Sequence, residues 1–204
     1  MEMEIAIPKS VENLNLPAPE LVQFYEDLDN RTIWIQGEID GSLLDLHSKI
    51  MKWNAEDKDV AIENRIPIKL FIFSPGGDLA VTMNTVSMIR LSKTPVYTYN
   101  MGECFSGAFV LLIAGHKRFA LPYSRAMCHL GSGVIGGDFN VADNAMKDYK
   151  AQIEMMKQFI LDRTTIPAKT LSKKMTSDWY MNLSEQLANG VVDEVVEDMS
   201  VLIG

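Results

Sequence analysis

Pro67-Ile68-Lys69-Leu70-Phe71-Ile72-Phe73-Ser74-Pro75-Gly76-Gly77-Asp78 is the stretch that decides the fold. Its first seven residues form an almost unbroken apolar run, the pattern of a strand buried on both faces. Ser74 to Gly77 interrupt that run, and Asp78 can cap the helix that follows. The helix carries Leu79, Met83, Val86 and Ile89 on one side. The next segment repeats the logic, with a strand over 95–101, a turn, and an apolar helix from about Ser106 to Ala114. Further strands are expected at 117–121 and 125–129. Strand alternating with helix implies crossover units and a mostly parallel sheet, an α/β fold.

Upstream, Thr32 to Gly37 reads as a short strand ending at a glycine. Ser42 then opens a helix, with Asp45 three residues later resembling a capping box. Leu43, Leu46, Ile50 and Trp53 form its apolar face at helical spacing. Residues 1–20 hold three prolines and few large apolar side chains, and read as a loosely ordered lead-in. Downstream, four glycines fall within 131–137, and Asp138 begins a long helix running to about Arg163. Its apolar positions are Ala142, Met146, Tyr149, Ile153, Met156 and Ile160. They alternate four and three apart, a narrow stripe that suits either the protein's own core or a partner helix. A short helix over 167–174, another from about Ser184 to Gly190, and a strand over 191–196 complete the pattern.

The 204 residues carry a net charge of −8, with 47% hydrophobic and 23% charged side chains. One hydrophobic core is normal at this size, so a single domain is expected over 1–204. The acidic balance argues against nucleic acid as a partner and against an anionic membrane surface. Met1 to Pro8 contain acids and no long apolar run, unlike a secretory signal. No segment approaches the ~18 apolar residues of a membrane span. Two cysteines, Cys104 and Cys128, give no disulfide framework, and a cytoplasmic location is expected.

The chemistry centres on Met101-Gly102-Glu103-Cys104-Phe105-Ser106-Gly107-Ala108-Phe109. A serine between a strand and a buried helix, flanked by small residues, suits an exposed nucleophile. Of the three histidines, His47 lies on a polar helix face and His116 in a charged turn, both solvated positions. His129 ends an apolar strand, where a titratable ring is unusual. It can be a base or a hydrogen-bonded core residue. Gly76 and Gly77 can present backbone amides to a site without side-chain hindrance, or simply make a tight turn. The group that would orient the base is left open among 27 acidic residues. No metal or cofactor is indicated.

Four segments in order resemble the signatures of the ClpP family, the serine peptidase subunits of ATP-dependent Clp proteases. They are Ser74-Pro75-Gly76-Gly77; Met101-Gly102 with Ser106 four residues on; Lys117 to Pro122; and Ser124 to His129. The similarity covers roughly residues 31–197. It implies a ClpP/crotonase-like fold of stacked βαβ units, with a protruding handle over 131–163 made of the Gly-rich strand and the long helix. It implies Ser106 as nucleophile, His129 as general base, Asp178 as the acid, and the amides of Gly77 and Gly107 as oxyanion hole. Unfolded polypeptides would be the substrates, cleaved inside a homo-oligomer of stacked heptameric rings fed by an AAA+ ATPase chaperone.

Several positions depart from that pattern. Leu130-Gly131 stand where the family usually has Gln-Pro, and Glu103-Cys104 replace small or amide residues. Residues 1–30, with Pro17, Pro19 and the acidic Glu20 to Asp29 stretch, form a divergent N-terminal arm. Two other readings compete: a non-catalytic or partner-activated ring subunit, and a crotonase-like acyl-CoA enzyme. Retention of Ser106, His129 and Asp178 weighs against both.

Overall fold

The structure, a computed structural model, describes residues 18–131 and 136–203. The chain divides into two compact units between Asn30 and Arg31. In the first, the described residues form one helix, α1 (Pro19–Asp29), so the acidic stretch is helical. Pro19 pre-sets the backbone of the first turn, and Glu20 faces the positive helix end. The lead-in expected over 1–20 lies, up to residue 17, outside the described residues.

The second unit runs β1 (Thr32–Ile39), a 3-10 turn Gly41–Leu44, α2 (Asp45–Glu56), β2 (Ile68–Gly77), α3 (Leu79–Leu91), β3 (Val96–Phe105), and α4 (Gly107–Ala114). It continues through β4 (Lys117–Ala120), β5 (Arg125–Cys128), α5 (Phe139–Arg163), α6 (Ala168–Lys174), β6 (Trp179–Met181), α7 (Leu183–Ala188), β7 (Glu194–Val195) and α8 (Ser200–Ile203). The expected α/β class holds. The strands β1-β2-β3-β4-β7 lie side by side, all pairs parallel. The lower part of β3 pairs with β4 and its upper part with β5. β6 then pairs antiparallel with β5.

Register locks an aromatic row across four strands. Trp34, Phe71, Tyr99 and Phe119 are successive neighbours in the ladder. Their ring centroids are 4.7, 4.9 and 4.7 Å apart. A one-residue slip would turn every ring to the other face, so the row specifies pairing as well as stability. Tyr99 is buried, and burial pushes its phenol up to about 12. The opposite face of the sheet is covered by α4, in which all eight residues are buried. A helix apolar all round belongs in a core, and α4 packs against β2, β3 and α3.

Several boundaries differ from expectation. Asp40, not Ser42, is the cap before α2: its carboxylate accepts from the Ser42 N–H at 2.9 Å, and a 3-10 turn intervenes before Asp45. The strand expected over 191–196 shrinks to β7, because the N–H groups of Val191 and Val192 are taken by the Gln186 carbonyl. The helix α7 is opened by a capping box between Asn182 and Glu185. The three residues of β6 were not anticipated. The long helix begins as expected, with the Asp138 carboxylate accepting from the Val141 N–H. Of the Gly-rich segment 131–137, residues 132–135 lie outside the described residues.

Only the C-terminal half of the α5 stripe is core: Ile153, Met156 and Ile160 are buried. Met146 is 42% exposed, and Phe139 ahead of it is 83% exposed. The C-terminal end is fixed by the Arg163 guanidinium, which donates to the Ile113 and Gly115 carbonyls at 3.0 and 2.7 Å. Arg118 in turn donates to the Arg163 carbonyl at 2.7 Å.

Candidate active site

Ser106 stands where β3 stops and α4 starts. Its φ of 53° and ψ of −119° put a side-chain-bearing residue where glycine is favoured, a strained conformation held by its surroundings. Two bonds hold it: Ser106 N–H donates to the Met127 carbonyl at 2.8 Å, and its own carbonyl accepts the first helical bond from Val110. The strain turns the hydroxyl out of the sheet, toward His129. Ser106 Oγ lies 2.8 Å from His129 Nε2, and His129 Nδ1 lies 3.2 Å from Asp178 Oδ1. With the ring proton on Nδ1, the imidazole donates to Asp178 and accepts from the Ser106 O–H. The His129 side chain is 20% exposed and that of Asp178 is 53% exposed.

The glycines expected to matter pack against this elbow. A Cβ on Gly76, whose φ is +97°, would lie 2.6 Å from the Phe105 carbonyl oxygen and 2.7 Å from Ser106 Cβ. A Cβ on Gly77 would run into the Ile39 carbonyl oxygen. Gly107 is the first residue of α4, so its N–H has no acceptor within the helix. A Cβ placed there would meet Thr82 Oγ1 at 2.5 Å and the Gly77 nitrogen at 3.6 Å. Ser106, His129, Asp178, Gly77 and Gly107 therefore converge on one place, from four separate segments.

Two residues that carried no sequence signal hold those segments together. Asn100 Nδ2 donates to the Arg125 carbonyl at 2.9 Å and to Gln186 Oε1 at 3.1 Å. Asn100 Oδ1 accepts from the Gly102 N–H at 3.1 Å, just before the elbow. Gln186 Nε2 donates to the carbonyls of Ser124 and Met181. Both side chains are fully buried. They tie β3, β5, β6 and α7 to one another, and so relate the strand ahead of Ser106 to those flanking His129 and Asp178. A buried network of this kind specifies a unique arrangement because each unmade bond is costly. Isolated Asn and Gln residues in a sequence give no hint of it.

The other candidates fall elsewhere. Glu103 pairs with Arg125 at 2.8 Å. Arg125 also lies over the Phe105 and Tyr180 rings. Cys104 and Cys128 are free and buried; burial pushes the Cys104 thiol far up and the Cys128 thiol to about 12. Neither is a nucleophile near neutral pH. His47 and His116 are not simply solvated: His47 Nε2 is 3.1 Å from Thr85 Oγ1, and His116 Nδ1 accepts from the Val96 N–H at 3.0 Å. Burial lowers the pKa of both rings. Among the described residues no group of three or more His, Cys, Asp or Glu side chains could hold a metal ion. No described helix is long and apolar enough to cross a membrane.

A curated relative, ATP-dependent Clp protease proteolytic subunit 1 of Rhodopirellula baltica, is 28% identical over 172 residues, covering 83% of this chain and 73% of the relative. Proteolytic subunit 2 from Treponema denticola is 29% identical over 174 residues, covering 84% of each chain. Among solved structures, a ClpP1 mutant from Listeria monocytogenes superposes with a TM-score of 0.75 at 24% identity, covering 88% of this chain and 99% of its own. That likeness establishes the ClpP fold. The family model for Clp protease matches residues 18–199, a span that takes in every described strand and the elbow at Ser106, and on that match the chain belongs to the Clp protease family, as a divergent member.

Proposed function

We propose that this protein is a serine endopeptidase, the proteolytic subunit of a Clp-type complex that hydrolyses peptide bonds of unfolded polypeptides. The observation that carries the reading is the 2.8 Å approach of His129 Nε2 to the hydroxyl of a serine held at positive φ. Ser106 Oγ attacks the scissile carbonyl as its proton passes to His129 Nε2. Asp178 holds the ring with Nδ1–H toward itself and stabilises the imidazolium. The tetrahedral oxyanion is met by the amides of Gly77 and Gly107; loss of one such donor typically costs ~10²–10³ in rate. The imidazolium then protonates the leaving amine, which departs to give the acyl-enzyme. Water, deprotonated by His129, attacks the ester; its collapse releases the new carboxyl group and restores Ser106. The ClpP fold and the open N-terminal half of α5, part of the proposed handle over 131–163, support assembly as a homo-oligomer of stacked rings. An AAA+ ATPase is the proposed source of unfolded substrate, and the cytoplasm the proposed compartment, where two free thiols persist.

Labelling by a fluorophosphonate probe tests the reading. Wild type is expected to label and to turn over fluorogenic peptides, and Ser106→Ala to do neither. A folded wild type that never labels, alone or with an ATPase present, removes the peptidase assignment. The half-exposed carboxylate of Asp178 favours one second reading, in which a neighbouring subunit completes the site. Labelling that rises with protein concentration, in step with assembly seen by sedimentation, would select it.

A further inference from the structure

A cleft of about 700 Å³ opens beside the elbow, bordered by Glu38, Asp40, Gly77, Asp78, Tyr149 and Gln152. Gly77 is common to this cleft and to the catalytic centre, so a chain that reaches Ser106 alongside Gly77 runs into it. Among the described residues, the ionisable groups around the cleft, apart from the Tyr149 phenol, are all carboxylates. Asp40 and Asp78 each commit only Oδ1 to the chain, to Ser42 and to the Val81 N–H. The second oxygen of each has no partner among the described residues. The bonds from Ser42 also hold the Asp40 carboxyl below its ordinary range, so it stays ionised into mild acid. Glu38 additionally borders a separate cavity of about 170 Å³ shared with Lys49, so Asp40 and Asp78 carry most of the argument.

The bias belongs to this side of Tyr149. Beyond it, a second cavity of about 580 Å³ shares Gly131 and Tyr149, and its charges are mixed: Lys150, Glu154 and Lys157. Tyr149 thus divides a cleft of one sign from a cavity without one. We infer that the cleft selects polypeptide substrates with a lysine or arginine side chain close to the scissile bond, seated among Glu38, Asp40 and Asp78. The inference rests on the peptidase reading and adds to it a substrate class.

The test uses peptides that differ only in lysine, norleucine or glutamate at each position flanking the cleaved bond. Norleucine matches the stem of lysine without its charge. Binding is read by fluorescence anisotropy on the full-length Ser106→Ala protein, and cleavage on wild type. Lysine is expected to beat norleucine by about three- to tenfold at one position, the scale that two or three exposed ion pairs supply. Glutamate should fall below both, and salt should compress the ratio. Glu38→Gln, Asp40→Asn and Asp78→Asn together should bring it close to one; asparagine keeps the helix cap at position 78. Equal binding of lysine and norleucine peptides at every position overturns the inference, even where wild type labels and cleaves. Failure of wild type to label removes the peptidase reading, while the binding arm still decides the charge preference.

Discussion

The two halves of α5 have the same repeat of apolar residues and different surroundings. From Ile153 onward the stripe is buried, and the helix end is clasped by Arg163 and Arg118. Before Tyr149 the same stripe lies open, with Phe139 and Met146 toward solvent. Periodicity states which face of a helix seeks burial; it is silent on whether the covering surface belongs to the same chain. In the C-terminal half, the core covers the stripe. In the N-terminal half, the proposed assembly would supply the cover.

Substitutions can break that contrast. Ile160→Ala should have the largest effect, a loss of about 2–5 kcal/mol in urea unfolding, because a fully buried side chain leaves a cavity. Arg163→Met should follow, at about 1–3 kcal/mol, since the Ile113 and Gly115 carbonyls lose their donors. If this variant were as stable as wild type, the clasp at the helix end would be decorative.

Where the halves meet, Tyr149→Phe removes a hydroxyl whose contact to the Leu130 carbonyl is long, 3.5 Å, and should change stability by less than about 0.5 kcal/mol. Met146→Glu sharpens the comparison most. Its effect on unfolding of the isolated chain should be as small as that of Tyr149→Phe, yet sedimentation should shift toward smaller species. A large loss of stability without a change in assembly would mean that the open half is covered by its own chain after all.

Much of the fold was legible because its strongest signals are local. The run Pro67 to Phe73 and the glycines after it are punctuation that one segment carries alone, and the turn from β3 into α4 at Ser106 is another. The site was half legible. Ser106 and His129 stand out because a small polar residue and a titratable ring are unusual at the ends of apolar runs. Asp178 does not, being one carboxylate of many, and only the family resemblance named it; the pairing of β6 with β5 is what brings it beside His129. That pairing is nonlocal, and three residues are too few to show a period. Asn100 and Gln186 were invisible for the same reason, because their bonds reach 86 residues along the chain. In α1, Pro19 and Glu20 were a usable helix start that the acidic composition obscured.

The Asn100–Gln186 bond is also the last of these features that synthesis can complete. Translation delivers the strained serine first, His129 23 residues later, and Asp178 a further 49 residues on. Gln186, which ties the carbonyls of Ser124 and Met181 to Asn100, follows after that. A nascent chain stalled short of α7 would carry all three residues of the proposed triad but no strut between their supports. Under the proposed function such a truncated product should be inert, and a cell could make the peptidase without exposing neighbouring nascent chains to a half-built copy.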